Sequence, residues 1–205
     1  MNRRCFFLGL LAFRALAQKP APIRPDSSAW QSIGFGAWTA QEGDIVGHCD
    51  RSNHGDSFLL TRDVYQDFQL TFSFWISAGG SSSILLREPK RQWGTTKAER
   101  PGGGPHCGCE ITIDYHDRNR PTGTIGSSIQ PKKLVGGEGR WNEMEIVCRG
   151  REVRVSIAGQ RINRCDELPL QAGVIVFKIP ETAPVGSLVK FQDILISPTV
   201  VKPEV

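Results

Sequence analysis

Chemically capable side chains are concentrated in the run Cys109 to His116. Successive side chains of a strand point to opposite faces, so Glu110, Thr112, Asp114 and His116 are predicted to share one face. The intervening cysteine, isoleucines and tyrosine are predicted to face a core. Because charged groups are rare in the middle of a strand unless they face water or a site, this strand is predicted to form the floor of a cleft.

The elements that position this strand are predicted from an apolar period of two. Between Phe68 and Ile76, and again between Val153 and Ile157, apolar residues alternate with polar residues or tryptophan. Turn sequences such as Glu42-Gly43-Asp44 separate such runs, as hairpins require. About eleven strand candidates and no helical period predict an all-β fold, an antiparallel β-sandwich of the jelly-roll type.

Alternation also predicts which side chains fill the core between the two sheets. The predicted core residues are Phe68, Leu70, Phe72, Phe74, Ile111, Ile113, Ile146, Val155 and Phe191.

The first 17 residues are predicted to be a cleaved export signal. Arg3 and Arg4 precede an apolar run that ends at Phe13, and small residues follow before Gln18. The apolar run is much shorter than the roughly 20 residues that a membrane span needs, so no span is predicted. Residues 18–30 are predicted to be a Pro-rich tether and residues 31–200 the sandwich domain. The protein is expected to be periplasmic or extracellular, by a secretory or a twin-arginine route.

The charge balance argues against nucleic acid as a partner. The chain carries a formal charge of +4, and removal of the signal's three arginines leaves about +1. The oligomeric state cannot be inferred from these features.

Five cysteines follow the predicted signal: Cys49, Cys107, Cys109, Cys148 and Cys165. An odd number in an oxidising compartment leaves at least one thiol without a partner in the chain. Cys148 is expected in the core, while Cys107 and Cys165 are better disulfide candidates, with connectivity open. The His106 to Cys109 cluster lacks the two-residue spacing of common zinc sites, so neither a metal nor a cofactor is predicted.

The order of short motifs resembles that of the 3-keto-disaccharide hydrolase domain family. The resemblance extends from about Gly34 to Pro198. It implies a fold of the concanavalin A-like lectin/glucanase type and hydrolysis of glycosides whose ring is oxidised at C3. The matching segments are Trp38 with Glu42 to Gly47, Ser57 to Thr61, Tyr65 to Leu70, Gly80 to Arg87, Glu110 to Asp114, Thr122 to Thr124, Trp141-Asn142 and Gly173 to Ile175.

The spacing of the two carboxylates argues against an ordinary glycosidase pair. Glu110 and Asp114 are four residues apart, or roughly 13 Å between Cα atoms, whereas paired glycosidase carboxyls lie about 5 to 9.5 Å apart. A 3-keto sugar permits another mechanism, in which a base removes the C2 proton, a cation stabilises the enolate, the C1 substituent leaves and water adds. Glu110, His116 and Arg87 are predicted to serve as base, acid and electrophile.

Three further residues are predicted to contact the substrate: Asp114, Trp93 and Lys178. Trp93 lies in a long loop, residues 88–106, where an indole could stack on a sugar ring. Glu110 and Arg87 could instead form a structural ion pair between neighbouring strands.

A second hypothesis is a non-catalytic carbohydrate-binding or surface-interaction domain. In that case one face would present Trp75, Trp93 and Glu110 to a glycan. The fold alone does not distinguish the two hypotheses.

Overall fold

The computed structural model describes residues 21–22, 28–34, 37–49, 55–90 and 108–198. This part of the chain forms thirteen β-strands arranged as two antiparallel sheets. The predicted all-β sandwich of the jelly-roll type is confirmed. The predicted export signal, Trp93, His106 and Cys107 lie outside the described residues.

The larger sheet has eight strands. Their order is β11-β10-β9-β6-β13-β4-β3, and β1 pairs with β13. The short strand β1 falls within the segment predicted to be a tether. The bounds are β1 Ala21–Pro22, β3 Ala37–Gln41, β4 Asp44–His48, β6 Phe68–Ile76, β9 Trp141–Arg149, β10 Glu152–Ile157, β11 Gln160–Cys165 and β13 Leu188–Pro198.

The smaller sheet has five strands in the order β2-β5-β12-β7-β8, so β8, with Glu110, is at its edge. The bounds are β2 Trp30–Gly34, β5 Ser57–Thr61, β7 Ser81–Glu88, β8 Cys109–Asp114 and β12 Val174–Ile179.

Two of the hairpins use backbone conformations that match the twist of the sheet. Glu42 and Gly43, between β3 and β4, both have positive φ, at 52° and 96°. Ala158 and Gly159, between β10 and β11, have φ of 49° and 71°. Positive φ at both central residues defines the two-residue turn that suits a right-handed twist. The turn predicted at Glu42 to Asp44 is confirmed.

The core lies between the sheets and includes all the residues predicted to fill it. Alternate residues of β6, from Phe68 to Ile76, are buried, and the residues between them are half-buried. Phe177 of the smaller sheet packs against Phe191 of the larger one with ring centroids 4.7 Å apart. Because each sheet has one predominantly apolar face, burial of these faces against each other is the main stabilising term.

A second, smaller apolar cluster lies on the outer face of the five-stranded sheet. Strand register places Leu85 opposite both Glu110 and Val176, so these three side chains share a face. Glu110 therefore stands beside buried apolar side chains. The cluster comprises Ile33, Phe58, Leu60, Leu85, Val174 and Val176.

Candidate functional site

Glu110 is held by contacts from two neighbouring strands and one loop. Its Oε1 accepts a hydrogen bond of 2.7 Å from Ser83 Oγ on β7 and lies 3.6 Å from Lys178 Nζ on β12. Its Oε2 accepts a bond of 2.6 Å from Arg120 Nη2. The strand register explains why Ser83 and Lys178 lie near Glu110, because Ser83 is directly opposite both Lys178 and Thr112.

These contacts keep Glu110 ionised. Burial by itself raises the pKa of the carboxyl, but the Lys178 ammonium, the Ser83 hydroxyl and the Arg120 guanidinium together lower the pKa below its usual value. At neutral pH the group is a carboxylate that can accept a proton and is only 19% exposed. Its basicity depends on the two cations, since either cation favours the charged form.

Arg120 reaches Glu110 because the chain folds back along the edge strand. After β8 the segment Pro121 to Gly126 runs antiparallel to it, with Thr122 N donating to Asp114 O and Gly126 N to Glu110 O. Arg120 is at the start of this returning segment, and its Nη2 also lies 3.3 Å from Thr112 Oγ1.

The cleft around Glu110 has a volume of about 390 Å³. Hydroxyl and carboxylate groups dominate its lining, together with the two cations, as suits a polyhydroxylated ligand. The lining residues are Asp56, Gly79, Ser81, Ser82, Ser83, Glu110, Thr112, Asp114, Asp117, Arg120, Lys178, Pro180, Thr182 and Pro184.

Lys178, one of the residues predicted to contact the substrate, lines the cleft. Its ammonium lies 3.2 Å from Asp56 Oδ2 as well as 3.6 Å from Glu110 Oε1, and its side chain is 12% exposed. A lysine buried between two carboxylates is a localised positive charge that a ligand oxygen can approach.

Asp114 also lines the cleft, but one oxygen of its carboxylate accepts hydrogen bonds from backbone amides. Its Oδ1 accepts hydrogen bonds of 2.8 Å from the amides of His116 and Asp117. This arrangement ends β8 in a turn, as an aspartate at a turn commonly does. Asp114 therefore shapes one end of the cleft.

His116 is 65% exposed and is not one of the residues that line the cleft, although Asp114 and Asp117 on either side of it are. Its Nδ1 lies 2.5 Å from Glu138 Oε1, and the same oxygen accepts a 2.9 Å bond from the amide of Gly79. Gly79 and Asp117, the residue after His116, both line the cleft. The contact with Glu138 engages Nδ1, so Nε2 is the ring nitrogen of His116 that remains for another partner.

Arg87 is not in the cleft, so the predicted convergence of Arg87 with Glu110 and His116 is not what the structure has. A register shift between β7 and β12, with a φ of 57° at Arg87, turns this side chain inward. The side chain is 1% exposed, and its guanidinium bonds to Asp67 Oδ1 and to three backbone carbonyls. The carbonyls belong to Gln66, Gly150 and Leu170.

The alternative ion pair between Glu110 and Arg87 is also wrong. Arg87 is paired with Asp67, whereas Glu110 is paired with Arg120 and Lys178. Trp75 is likewise separated from Glu110, because it lies on the larger sheet, opposite Trp141. A single face that presents Trp75 and Glu110 together is therefore not formed.

Three contributors to the site escaped sequence reasoning: Ser83, Arg120 and Asp56. Ser83 has a detectable signal, because it immediately precedes the apolar run Ile84 to Leu86 on the same strand. The sequence signal for Arg120 is weaker. Arg120 is in a turn-like sequence, and the segment Thr122 to Ile125 that follows favours a strand that returns along β8. Asp56 contacts Lys178 only through tertiary structure, as it is more than 120 residues away in the sequence.

The cysteines of the described region differ in burial. Cys148 is fully buried, as predicted, and Cys109 is 6% exposed. Burial raises the pKa of each thiol to about 12, so both are protonated at neutral pH. Cys165 is a half-buried free thiol. Among the described residues, no group of three or more potential ligand side chains could hold a metal ion.

One family model matches most of the chain. Its description is "3-keto-alpha-glucoside-1,2-lyase-like domain", and the match covers residues 25–196. No curated protein sequence matches this chain. In the part of the chain that the structure describes, no helix is both long and apolar enough to cross a membrane.

Solved structures similar to this chain include a protein described as a glycosyl hydrolase and two carbohydrate-binding proteins. A candidate glycosyl hydrolase from Parabacteroides distasonis ATCC 8503 is 19% identical, with a TM-score of 0.61 over 84% of this chain and 89% of that one. The carbohydrate-binding module CBM66 from Bacillus subtilis is 14% identical, with a TM-score of 0.60 over 84% and 97%. Lectin II from Ulex europaeus is 13% identical, with a TM-score of 0.60 over 86% and 95%. At these identities the likeness concerns the fold.

Proposed function

Because this chain belongs to the 3-keto-alpha-glucoside-1,2-lyase-like domain family, we propose that it cleaves the glycosidic bond of 3-keto-glycosides. The reaction begins with removal of the C2 proton and elimination of the C1 substituent. Addition of water completes a net hydrolysis. The N-terminal sequence supports a further part of the proposal, which is that the enzyme acts after export.

The observation that carries this proposal is an ionised carboxylate between two cations in a hydroxyl-lined cleft. Glu110 is in contact with Lys178 and Arg120, and its pKa is below the usual value. Elimination from a ketone requires one base and a positive charge near the ketone oxygen, and it does not require a close carboxylate pair. The distance argument against Glu110 and Asp114 as a glycosidase pair is thus consistent with this chemistry.

In the proposed mechanism, the Glu110 carboxylate takes the proton from C2 and the electrons pass to the C3 oxygen as an enolate. Lys178, in the electrophilic role that sequence reasoning had given to Arg87, stabilises that oxygen. When the Lys178 ammonium interacts with the ketone oxygen, its attraction for the Glu110 carboxylate weakens. The pKa of Glu110 then rises, so Glu110 becomes a stronger base when substrate is bound.

Collapse of the enolate restores the ketone and breaks the bond between C1 and its oxygen substituent. His116, oriented through Nδ1 by Glu138, donates a proton to the leaving oxygen. Water then adds to the C1=C2 bond, with hydroxide at C1 and the proton returned to C2. Arg120 and Ser83 hold the carboxylate in place throughout.

The test is incubation of the protein with 4-nitrophenyl 3-keto-glucoside in deuterated water. We expect release of nitrophenol and incorporation of deuterium at C2 of the sugar product. Release without deuterium at C2 would indicate direct hydrolysis and would contradict the elimination mechanism.

A non-catalytic carbohydrate-binding role is the second candidate. It is favoured by the binding modules and lectins that share this fold and by the many hydroxyl groups in the cleft. In the same experiment it predicts saturable binding of the 3-keto-glucoside with neither release of nitrophenol nor exchange at C2.

A further inference from the structure

An aromatic pair lies on the outer face of the larger sheet, away from the Glu110 cleft. Trp75 on β6 and Trp141 on β9 are direct cross-strand partners. Their neighbours Phe74 and Asn142 are buried, so alternation directs both indoles outward. Trp141 is 41% exposed, which is unusual for a residue of this size and apolarity.

Lys190 of β13 fixes one member of this pair. It is the cross-strand partner of Trp75, and its Nζ lies 5.7 Å from the ring centroid. This distance is within the range of a cation–π contact. The Trp75 indole is therefore held by a neighbour on its own sheet, while Trp141 presents the more accessible ring.

A polar groove continues from the aromatic pair along the same strands. Its volume is about 480 Å³. Ser73 and Glu143, which are opposite each other, lie two residues from Trp75 and Trp141 on the same face, and Thr71 and Glu145 form the next pair. The groove residues are Thr71, Phe72, Ser73, Glu143, Met144, Glu145, Ser156, Gly159 and Asp193.

The combination matches the chemistry of a sugar chain. A pyranose ring has an apolar CH face that stacks on an indole and hydroxyl groups that hydrogen-bond to carboxylates and other hydroxyls. Within the described residues the groove lining includes three carboxylates, Glu143, Glu145 and Asp193, and no lysine or arginine. Lys190 lies beside Trp75 and outside the groove lining, so an anionic saccharide would be repelled where the chain crosses the groove, and the lining favours a neutral one.

We propose that this face is a second carbohydrate-binding surface, which takes a neutral oligosaccharide chain with one ring stacked on Trp141. It is separate from the Glu110 cleft, because the two sites are on outer faces of different sheets. Both sites extend to the same end of the sandwich, because Trp75 is followed by the turn that contains Gly79, a cleft residue. Trp141 follows the loop in which Glu138 binds the Gly79 amide.

Binding is tested by calorimetry with four neutral hexasaccharides, cellohexaose, laminarihexaose, maltohexaose and mannohexaose, and with hexagalacturonate as the anionic counterpart. We expect the full chain to bind at least one neutral chain and to bind hexagalacturonate more weakly. Trp141→Ala should weaken the neutral complex roughly tenfold or more, whereas Glu110→Gln should leave its affinity unchanged.

Two further variants make the result specific. Leu134→Ala removes another exposed apolar side chain, 53% exposed and outside the groove, and should bind as the parent does. Ser73→Tyr fills the groove without removing either indole and should abolish binding even if Trp141→Ala is poorly folded. Failure of the parent to bind any neutral chain overturns the proposal. So does binding that is lost in Glu110→Gln and retained in Trp141→Ala, because it would belong to the cleft.

Discussion

Glu110 is the residue whose environment most closely matches a chemical task. Its carboxylate is mostly buried, charged and fixed by a hydroxyl and two cations, so little reorganisation is needed before a proton is transferred. Each of those partners also changes the protonation equilibrium of the carboxyl. Substitutions at this site should therefore change the rate and its pH dependence more than they change stability.

The first prediction concerns Glu110→Gln, which keeps the volume of the side chain and removes its basicity. Turnover of the 3-keto-glucoside should fall by roughly 10² or more, with a melting temperature close to that of the parent. Glu152→Gln is the matched control, since Glu152, like Glu110, is a strand carboxylate paired with two cations. Its partners are Arg154 and Arg164. Equal loss of activity in both variants would contradict a specific role of Glu110.

Lys178→Met tests the electrophile and the tuning of the base together. Because Lys178 lowers the pKa of Glu110, its removal should raise that pKa and move the acidic limb of the kcat/KM profile to higher pH. The maximal rate should also fall, by roughly tenfold or more. Lys133→Met, at an exposed lysine, is the control. An unchanged acidic limb would show that Glu110 is not the group that titrates.

At the scale of elements, the irregularity in β7 decides which residues meet in the cleft. The register shift at Arg87 sends its side chain to the carbonyls of Gln66, Gly150 and Leu170. These carbonyls belong to connections of the larger sheet and to the loop before β12. Arg87 thus joins the two sheets at one end of the sandwich.

Arg87→Met should therefore be a stability variant. It leaves three carbonyls and Asp67 without their partner, and we expect a loss of about 3 kcal/mol or more in the free energy of unfolding. Urea titration measures this loss, and the exposed Arg164→Met is expected to lose much less, because a solvent-screened surface ion pair contributes little to stability. Activity per folded molecule should persist. A well-folded Arg87→Met protein without activity would restore the electrophilic role first predicted for Arg87.

The returning segment after β8 is the element that brings Arg120 to Glu110. Gly123 lies in it with a φ of 92°, its amide donates to Thr112 O, and an added Cβ would collide with Ile162 Cδ1. Gly123→Ala should therefore combine backbone strain with overpacking, at a cost of about 2 to 4 kcal/mol. Gly126→Ala is the control, because Gly126 also has positive φ but open space around it. Similar melting temperatures for the two variants would disprove the collision.

On the scale of the whole molecule, one core between two sheets stabilises the cleft and carries the buried thiols. Cys109 and Cys148 face that core, and burial raises both pKa values to about 12. Because alkylation requires a thiolate and access, neither should react with iodoacetamide in the native, reduced protein at pH 8. Of the cysteines that the structure describes, Cys165, which is half-buried, should react first. Mass spectrometry of labelled peptides across a urea gradient measures this. Labelling of Cys148 before the global unfolding transition would contradict a single cooperative core.

The sequence by itself determined the fold class and, in regular strands such as β6 and β8, the side that faces the core. Alternation in β6 and β8 is a local property of the chain, because adjacent side chains of a strand must point to opposite faces. It placed Phe68, Leu70, Phe72 and Phe74 in the core and Glu110, Thr112 and Asp114 on one outer face, as the structure has them. The family resemblance, carried by the order of short motifs, was confirmed over residues 25–196.

Only the tertiary structure decided which charged groups meet. Sheet order made Lys178 and Ser83 neighbours of Glu110, and sheet order depends on pairing between distant strands. Arg120 entered through a returning segment, while a one-residue irregularity removed Arg87, since a single register shift moves a side chain to the opposite face. Trp75 is separated from Glu110 because the two residues are in different sheets. Alternation assigns each residue a face of its own strand, but only the packing of the sheets determines which strands contribute to a shared face.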